Sequence, residues 1–401
     1  MSVRDPSFGN PGRQSRVSVL MLIVCMTLGA AAGYAGPREQ AKRIHDRLAG
    51  VAPGATTLAA MESDINGGNA VAAAYRAMDN RAFYNVTLKN FATPWTNRDQ
   101  TVFAPLNDYS ATVIGMIRDN VDFRQVLYED ILYIGSGVPA YSNSNNDHYE
   151  ALEQQGADLQ TVLTGTTQSS ITGLPANATA GVMTTRAAAK AFFYAGTNRA
   201  MYRFTLLNHL CRDLEQIQDN TRAHDRIRQD VTRSPGGDSR IFLNNCSGCH
   251  TGMEPLTQAF AYYEYQYDRN ADPDGDNGQL IYTPGTVQPK FLQNADNFKY
   301  GYVTPDDSWD NYWRSGPNSL LGWDPGLPGS GNGAKTMGQE LANSAAFAQC
   351  QVEKVFKAVC LREPGNSADR SQIATMVTSF AASGYRMKQV FAESAAYCSG
   401  D

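Results

Sequence analysis

The chain has 401 residues, 42% hydrophobic and 18% charged. That is the balance of an ordinary globular protein, long enough for two or three domains and a sizeable core. The formal net charge is −5, so there is no basic footprint for nucleic acid. Five histidines are few enough to weigh singly.

Residues 1–35 read as an export signal. Arg4, Arg13 and Arg16 give a positive start, Val17 to Leu28 is an apolar run, and small residues from Gly29 to Ala35 offer cleavage after Ala35 or Ala32. The run is short for a spanning helix, which needs about 20 apolar residues; an uncleaved N-terminal anchor is the second reading. Cys25 is a poor lipid-attachment site, because Val24 precedes it where a small residue is expected. No other segment could cross a membrane. The expected location is the periplasm.

Residues 36–180 read as a helical N-terminal domain. Glu39 to Leu48 and Asn69 to Tyr84 carry apolar residues at helical spacing. Asp108 to Tyr133 predicts a longer helix with a break near Asn120. Residues 136–180 are rich in Ser, Asn, Gly and Thr and predict an exposed loop region. In residues 181–401, a helix is expected over Ala187 to Gln218, then a Ser234–Gly237 turn. Residues 268–335, with many Gly, Pro, Asp and Asn and with Trp309, Trp313 and Trp323, read as a long structured loop insertion with a few short strands. Gln339 to Cys360, Asp369 to Phe380 and Met387 to Tyr397 predict three closing helices. The fold class is therefore mainly α.

The sharpest signal is Cys246-Ser247-Gly248-Cys249-His250. Two thiols at this spacing add to the two vinyl groups of haem, and the adjacent histidine is placed under the iron as proximal ligand. Residues 181–401 are accordingly expected to form a cytochrome c-like helical haem domain carrying one covalent haem c. A zinc site would need two further ligands, and no second paired Cys or His cluster exists. A redox dithiol would call for a thioredoxin-like βαβ setting, which is absent. The export signal fits independently, because c-type haem is attached outside the cytoplasm.

Export also changes the cysteine arithmetic. Seven cysteines less Cys25 leave six, two of them in the motif. Cys211, Cys350, Cys360 and Cys398 remain, enough for two disulfides in an oxidising compartment. Cys350 and Cys360 fall on one predicted helix, about ten residues or 15 Å apart, and cannot bridge each other. Their partners are then Cys211 and Cys398; either pairing satisfies this, and Cys360 with Cys398 and Cys211 with Cys350 is the one expected.

From the motif onward the sequence resembles a family of periplasmic cytochromes abundant in planctomycetes, in which the haem motif is followed by a Met-Asp-Pro-Leu-Gly box and an aromatic stretch. Here the box reads Met253-Glu254-Pro255-Leu256, then Ala259 to Tyr263; Glu254 replaces the usual Asp and the Gly is missing. Gly181 to Thr184, Leu206 to Cys211 and Ser344 to Cys350 carry the likeness elsewhere, with a weaker echo at Ile44 to Val51. The resemblance implies electron transfer with redox partner proteins and says little of their identity.

For the sixth iron position the expectation is Met337, in the Gly-rich segment Gly331 to Gly338 ahead of a helix, where small cytochromes c commonly place their distal Met. Met253, only three residues past His250, reads as a packing residue. His209 is the runner-up, on an apolar helix face that more often buries a core histidine. His45, His148 and His224 sit in polar settings and read as exposed. Asp268 to Gly278 resembles a calcium loop in composition, so Ca2+ is a secondary cofactor expectation; it lacks the helical frame and the Glu at the twelfth position, and a solvated turn is the stronger reading. Tyr262, Tyr263, Tyr265 and Tyr267 are either a haem wall or ordinary packing. These readings converge on an exported electron carrier with His250 proximal and Met337 distal. The rivals are a haem oxidoreductase with an open sixth position and a partner-binding subunit that uses haem as a relay.

Overall fold

The computed structural model describes residues 35–400. The signal expected over residues 1–35, with Cys25, lies outside them apart from Ala35. Helices dominate the described chain, and the fold is mainly α.

Helix α1 (Pro37–Ala49) begins with a proline in its first turn and ends at Gly50, whose φ of 71° is the left-handed stop that glycine adopts freely. Ala41, Ile44 and Leu48 recur at helical spacing and are wholly buried. That stripe packs on α2 (Ala55–Asn66) and α3 (Ala70–Met78). After α4 (Asp108–Arg118), α5 (Arg186–Phe192), α6 (Arg199–Thr205) and α7 (Ser247–Thr257) the chain closes with α8 (Gly333–Ala342), α9 (Ala345–Cys360), α10 (Ser367–Ala382) and α11 (Met387–Tyr397).

The two ends of the chain meet. Helix α11 packs on α3, and the Phe391 ring lies edge-on to Phe83 and Phe91, with centroids 5.2 and 5.4 Å apart. One hydrophobic cluster runs from Ala41 to Cys398. The boundary expected near residue 180 falls inside it, where Ala180, Val182 and Met183 are buried.

Three segments differ from their expectation. The helix expected over Asp108 to Tyr133 stops at Arg118, at the break expected near Asn120, whose φ of 55° turns the chain, and it does not resume. A 3-10 turn, Phe123–Leu127, follows, then strand β1 (Leu132–Gly135). Residues 136–180 are not simply loop: they hold the helix Asp147–Gln154 and strand β2 (Leu163–Thr166), which pairs antiparallel with β1. The helix expected over Ala187 to Gln218 is divided into α5 and α6 by Asn198, at φ 62°.

Residues 268–335 do hold short strands. β4 (Gln279–Tyr282) forms a hairpin around the Asp-rich loop with β3 (Tyr263–Gln266), which precedes the segment, and β5 (Ser308–Asp310) pairs with β6 (Ser330–Asn332). The segment is no outer loop, however, because Trp309, Trp313 and Trp323 are all buried. Trp323 Nε1 donates to the Trp313 carbonyl at 2.9 Å.

Two disulfides join Cys211 to Cys350 and Cys360 to Cys398, with Cα separations of 5.2 and 5.5 Å. This is the expected pairing, and both bridges end on α9. Closing loops of this length stabilises a fold by about 2–4 kcal/mol each. The Cys360→Ser, Cys398→Ser variant is therefore expected to unfold at lower urea by that margin. An unchanged midpoint would show that the bridge contributes nothing.

Candidate haem-binding site

The motif opens α7, so its side chains follow helical spacing. Cys246 and Cys249 are both unbridged and partly exposed. Cys249 Sγ lies 3.5 Å from the Leu214 carbonyl oxygen. Burial, together with Glu215 and Asp213, pushes the Cys249 thiol up from its ordinary value. A redox dithiol works through a thiolate of lowered pKa, so this setting runs against that rival. Among the described residues, no group of three or more His, Cys, Asp or Glu could hold a metal ion.

The segment before the motif is folded back onto α7. Asp219 N–H donates to the Gly248 carbonyl at 2.9 Å, Ser247 Oγ to Asn220 Oδ1 at 2.8 Å, and Thr251 Oγ1 to the Asp219 carbonyl at 2.8 Å. The approach is close enough that a Cβ on Gly248 would stand 2.9 Å from Asn220 Oδ1 and 3.1 Å from Gln218 Cβ. One turn on, along the same face of α7, the approach is closer still: a Cβ on Gly252 would overlap the Trp313 indole.

His250 is the group around which the charges are arranged. Its Nδ1 lies 2.6 Å from Glu254 Oε1, one helical turn on. Its Nε2 makes no hydrogen bond to any described residue, and a fifth of the side chain is exposed. Glu254 is wholly buried. Its Oε1 also accepts from Arg199 Nε at 2.7 Å, and Oε2 pairs with Arg228 Nε at 2.8 Å. Arg199 is held in turn by both oxygens of Asp230, at 2.7 and 2.8 Å. Arg228 donates to Thr197 Oγ1 at 2.8 Å and lies over the Phe291 ring. Burial opposes ionisation of Glu254. The charges of Arg199 and Arg228 and the bond to His250 outweigh it and hold the carboxyl well below the usual range.

These residues fit a covalently attached haem. Two free thiols stand at the required spacing, and an imidazole has one nitrogen fixed and the other available. Ile241 and Leu243, in the turn before Cys246, expose 40% and 49% of their surface, apolar area that a flat hydrophobic cofactor would cover.

Met337 stands on a different helix from this group. Met337 is wholly buried, and it lies within α8 rather than in a loop ahead of a helix. Helix α8 is tied to the segment of Trp313: Asn311 Nδ2 and Arg314 Nε both donate to Glu340 Oε1, at 2.7 and 2.8 Å, and Trp309 Nε1 donates to Thr336 Oγ1 at 2.8 Å. Trp313 covers Gly252, which is two residues, or about 200°, round the helix from His250. Met337→Ala is thus expected to cost about 2–5 kcal/mol through the cavity it leaves and to keep the parent's haem absorption. A folded variant that loses a methionine-to-iron band would place the thioether on the metal instead.

The remaining candidates separate cleanly. His209 is a core residue: its Nε2 lies 2.8 Å from the Tyr109 hydroxyl, and its ring stacks on Phe347. Burial, with Lys354 adding, pushes it well down. His45 and His148 are buried, against expectation. His45 Nδ1 is bonded to the Val51 carbonyl, and His148 takes the Gly135 N–H and reaches the Pro139 carbonyl. His224 is exposed and lies beside Phe242, one turn before Cys246, with ring centroids 6.2 Å apart. Met253 is buried within α7.

In the Asp-rich loop, Asp272 accepts from Asn277 N–H at 2.5 Å, Asp268 from Asn270 N–H at 2.9 Å, and Asp276 pairs with Lys190. Tyr263 and Tyr265 alternate inward on β3 and donate to the Ala178 and Gly275 carbonyls, at 2.6 and 2.7 Å, as hairpin packing.

Glu254 was visible in the sequence only as a departure from a family box. The signal that marks it is the His-x-x-x-Glu spacing, which puts both groups on one face of a helix. Arg199, Arg228 and Asp230 carry no such signal, because they arrive from other segments. Comparison of the chain with protein-family models, with curated proteins and with solved structures returns no match.

Proposed function

We propose that the chain is a c-type cytochrome with one haem, attached at Cys246 and Cys249, ligated by His250 and working outside the cytoplasm as an electron carrier. The observation that carries this reading is the pairing of two unbridged cysteines with a histidine whose Nε2 is free and whose Nδ1 is bonded. The bound haem would supply a one-electron Fe(III)/Fe(II) couple. Cys246 and Cys249 would hold it covalently. His250 presents its Nε2 lone pair, and Glu254 keeps the Nδ1 proton in place. Two disulfides elsewhere in the chain suit an oxidising compartment. The likeness to periplasmic cytochromes points the same way.

A second reading, a haem oxidoreductase with an open sixth position, is favoured by one observation. Every methionine among the described residues is buried, none more than 3% exposed, whereas the motif's side chains reach the surface. A reduced-minus-oxidised spectrum of protein made with haem-attachment machinery tests both. A low-spin haem indifferent to carbon monoxide supports the carrier, and a high-spin haem that binds it supports the oxidoreductase. Absence of covalent haem overturns both.

A further inference from the structure

We infer that Glu254 is a positioning residue that sets the donor strength of His250 and thereby holds the iron couple at low potential. This rests on the proposed attachment of haem and goes beyond it. The contact is short, 2.6 Å between His250 Nδ1 and Glu254 Oε1, the length of a charge-assisted hydrogen bond. Its direction is fixed. Glu254 sits wholly buried between two guanidinium groups, which can only donate to it, so its oxygens are placed as acceptors. The proton therefore lies on Nδ1, and Nε2 carries the lone pair.

A carboxylate draws on that proton more strongly than a neutral carbonyl does. The ring gains anionic character and becomes a stronger donor, which favours ferric over ferrous iron. Arg199 shares the oxygen that His250 uses, with Nε at 2.7 Å and Nη2 at 2.6 Å. The carboxylate is therefore anchored and only partly available, which keeps the proton on the ring. A purely structural account would have Glu254 do no more than neutralise Arg199 and Arg228. It leaves the alignment of Oε1 with a histidine in the haem motif without a role.

The test is Glu254→Gln in the haem-loaded protein. The amide oxygen can still accept from Nδ1, but the charge is gone. At the parent's midpoint potential the variant is expected to be at least tenfold more reduced, a rise of about 59 mV for one electron. The ferrous iron–histidine stretch, read by resonance Raman after photolysis of the carbon monoxide adduct, is expected to fall. A structural role would lower stability and move neither.

If the variant does not fold, the stretch of the parent decides: higher than in a haem whose imidazole Nδ1–H is unbonded supports the inference, and equal overturns it. A folded, haem-loaded variant with both readouts unmoved overturns the inference alone. A parent without covalent haem overturns it together with the proposed function.

Discussion

Replacing both motif cysteines, Cys246→Ser with Cys249→Ser, is expected to abolish covalent haem entirely, read as loss of haem staining on a denaturing gel. The thioether bonds need both sulfurs, and the four other described cysteines are already joined to one another, so no neighbouring thiol can substitute. The fold should survive the change. Both side chains are partly exposed and lie outside the buried cluster, and surface substitutions of this kind usually shift stability by about 0.5 kcal/mol or less. Each single variant should keep one thioether and stain more weakly. The disulfide variant described above should stain normally, which separates attachment from general misfolding. Full staining in the double variant would refute the attachment site.

The second large effect is expected at Gly252. A methyl group there overlaps the indole of Trp313, and the indole has nowhere to go. Trp313 is wholly buried. Its backbone N–H donates to Asn311 Oδ1 at 3.0 Å, and its backbone carbonyl accepts from Trp323 Nε1. Overpacking a rigid core typically costs about 1–3 kcal/mol and occasionally more. With a ring as the obstacle, Gly252→Ala should cost about 3 kcal/mol, more than a hundredfold in the folded-to-unfolded ratio, measured by urea unfolding. Gly248→Ala is the internal comparison. The atoms it would meet are the far end of the Asn220 side chain, at 2.9 Å, and Gln218 Cβ, at 3.1 Å; the first can swing aside and the second need give only a few tenths of an ångström, so its cost should be distinctly smaller. Equal costs at the two glycines would mean that Trp313 is not held as described.

The class of the fold and the limits on disulfide pairing were legible because they depend on local pattern. The stripe in α1, the cysteine spacing and the impossibility of a Cys350–Cys360 bridge can all be read along a single stretch of chain. What escaped depends on turns and on distant partners. The break near Asn120 could be expected, but Asn198, left-handed at the start of α6, could not, because hydrophobic periodicity runs straight past such a residue. Strands β1 and β2 are four residues each and stabilise one another across 28 residues of sequence, so neither announces itself alone. Met337 reads as a loop residue because glycines flank it, yet Gly333 and Gly338 both lie inside α8. The importance of Glu254 emerges only when Arg199 and Arg228 are seen to converge on it.

The placement of the disulfides has a consequence for how the protein is made. Along the chain the described cysteines run Cys211, Cys246, Cys249, Cys350, Cys360, Cys398, and the first native bridge spans the motif, with 139 residues between its ends. Cys211 therefore meets the two motif thiols long before its true partner on α9 has been synthesised. Six thiols allow fifteen complete connectivities and four allow three. On the proposed haem attachment, thioether formation would remove Cys246 and Cys249 from exchange for good. Early loading of the cofactor would thus act as a chaperoning event, discarding most of the wrong cross-links before the last helices arrive.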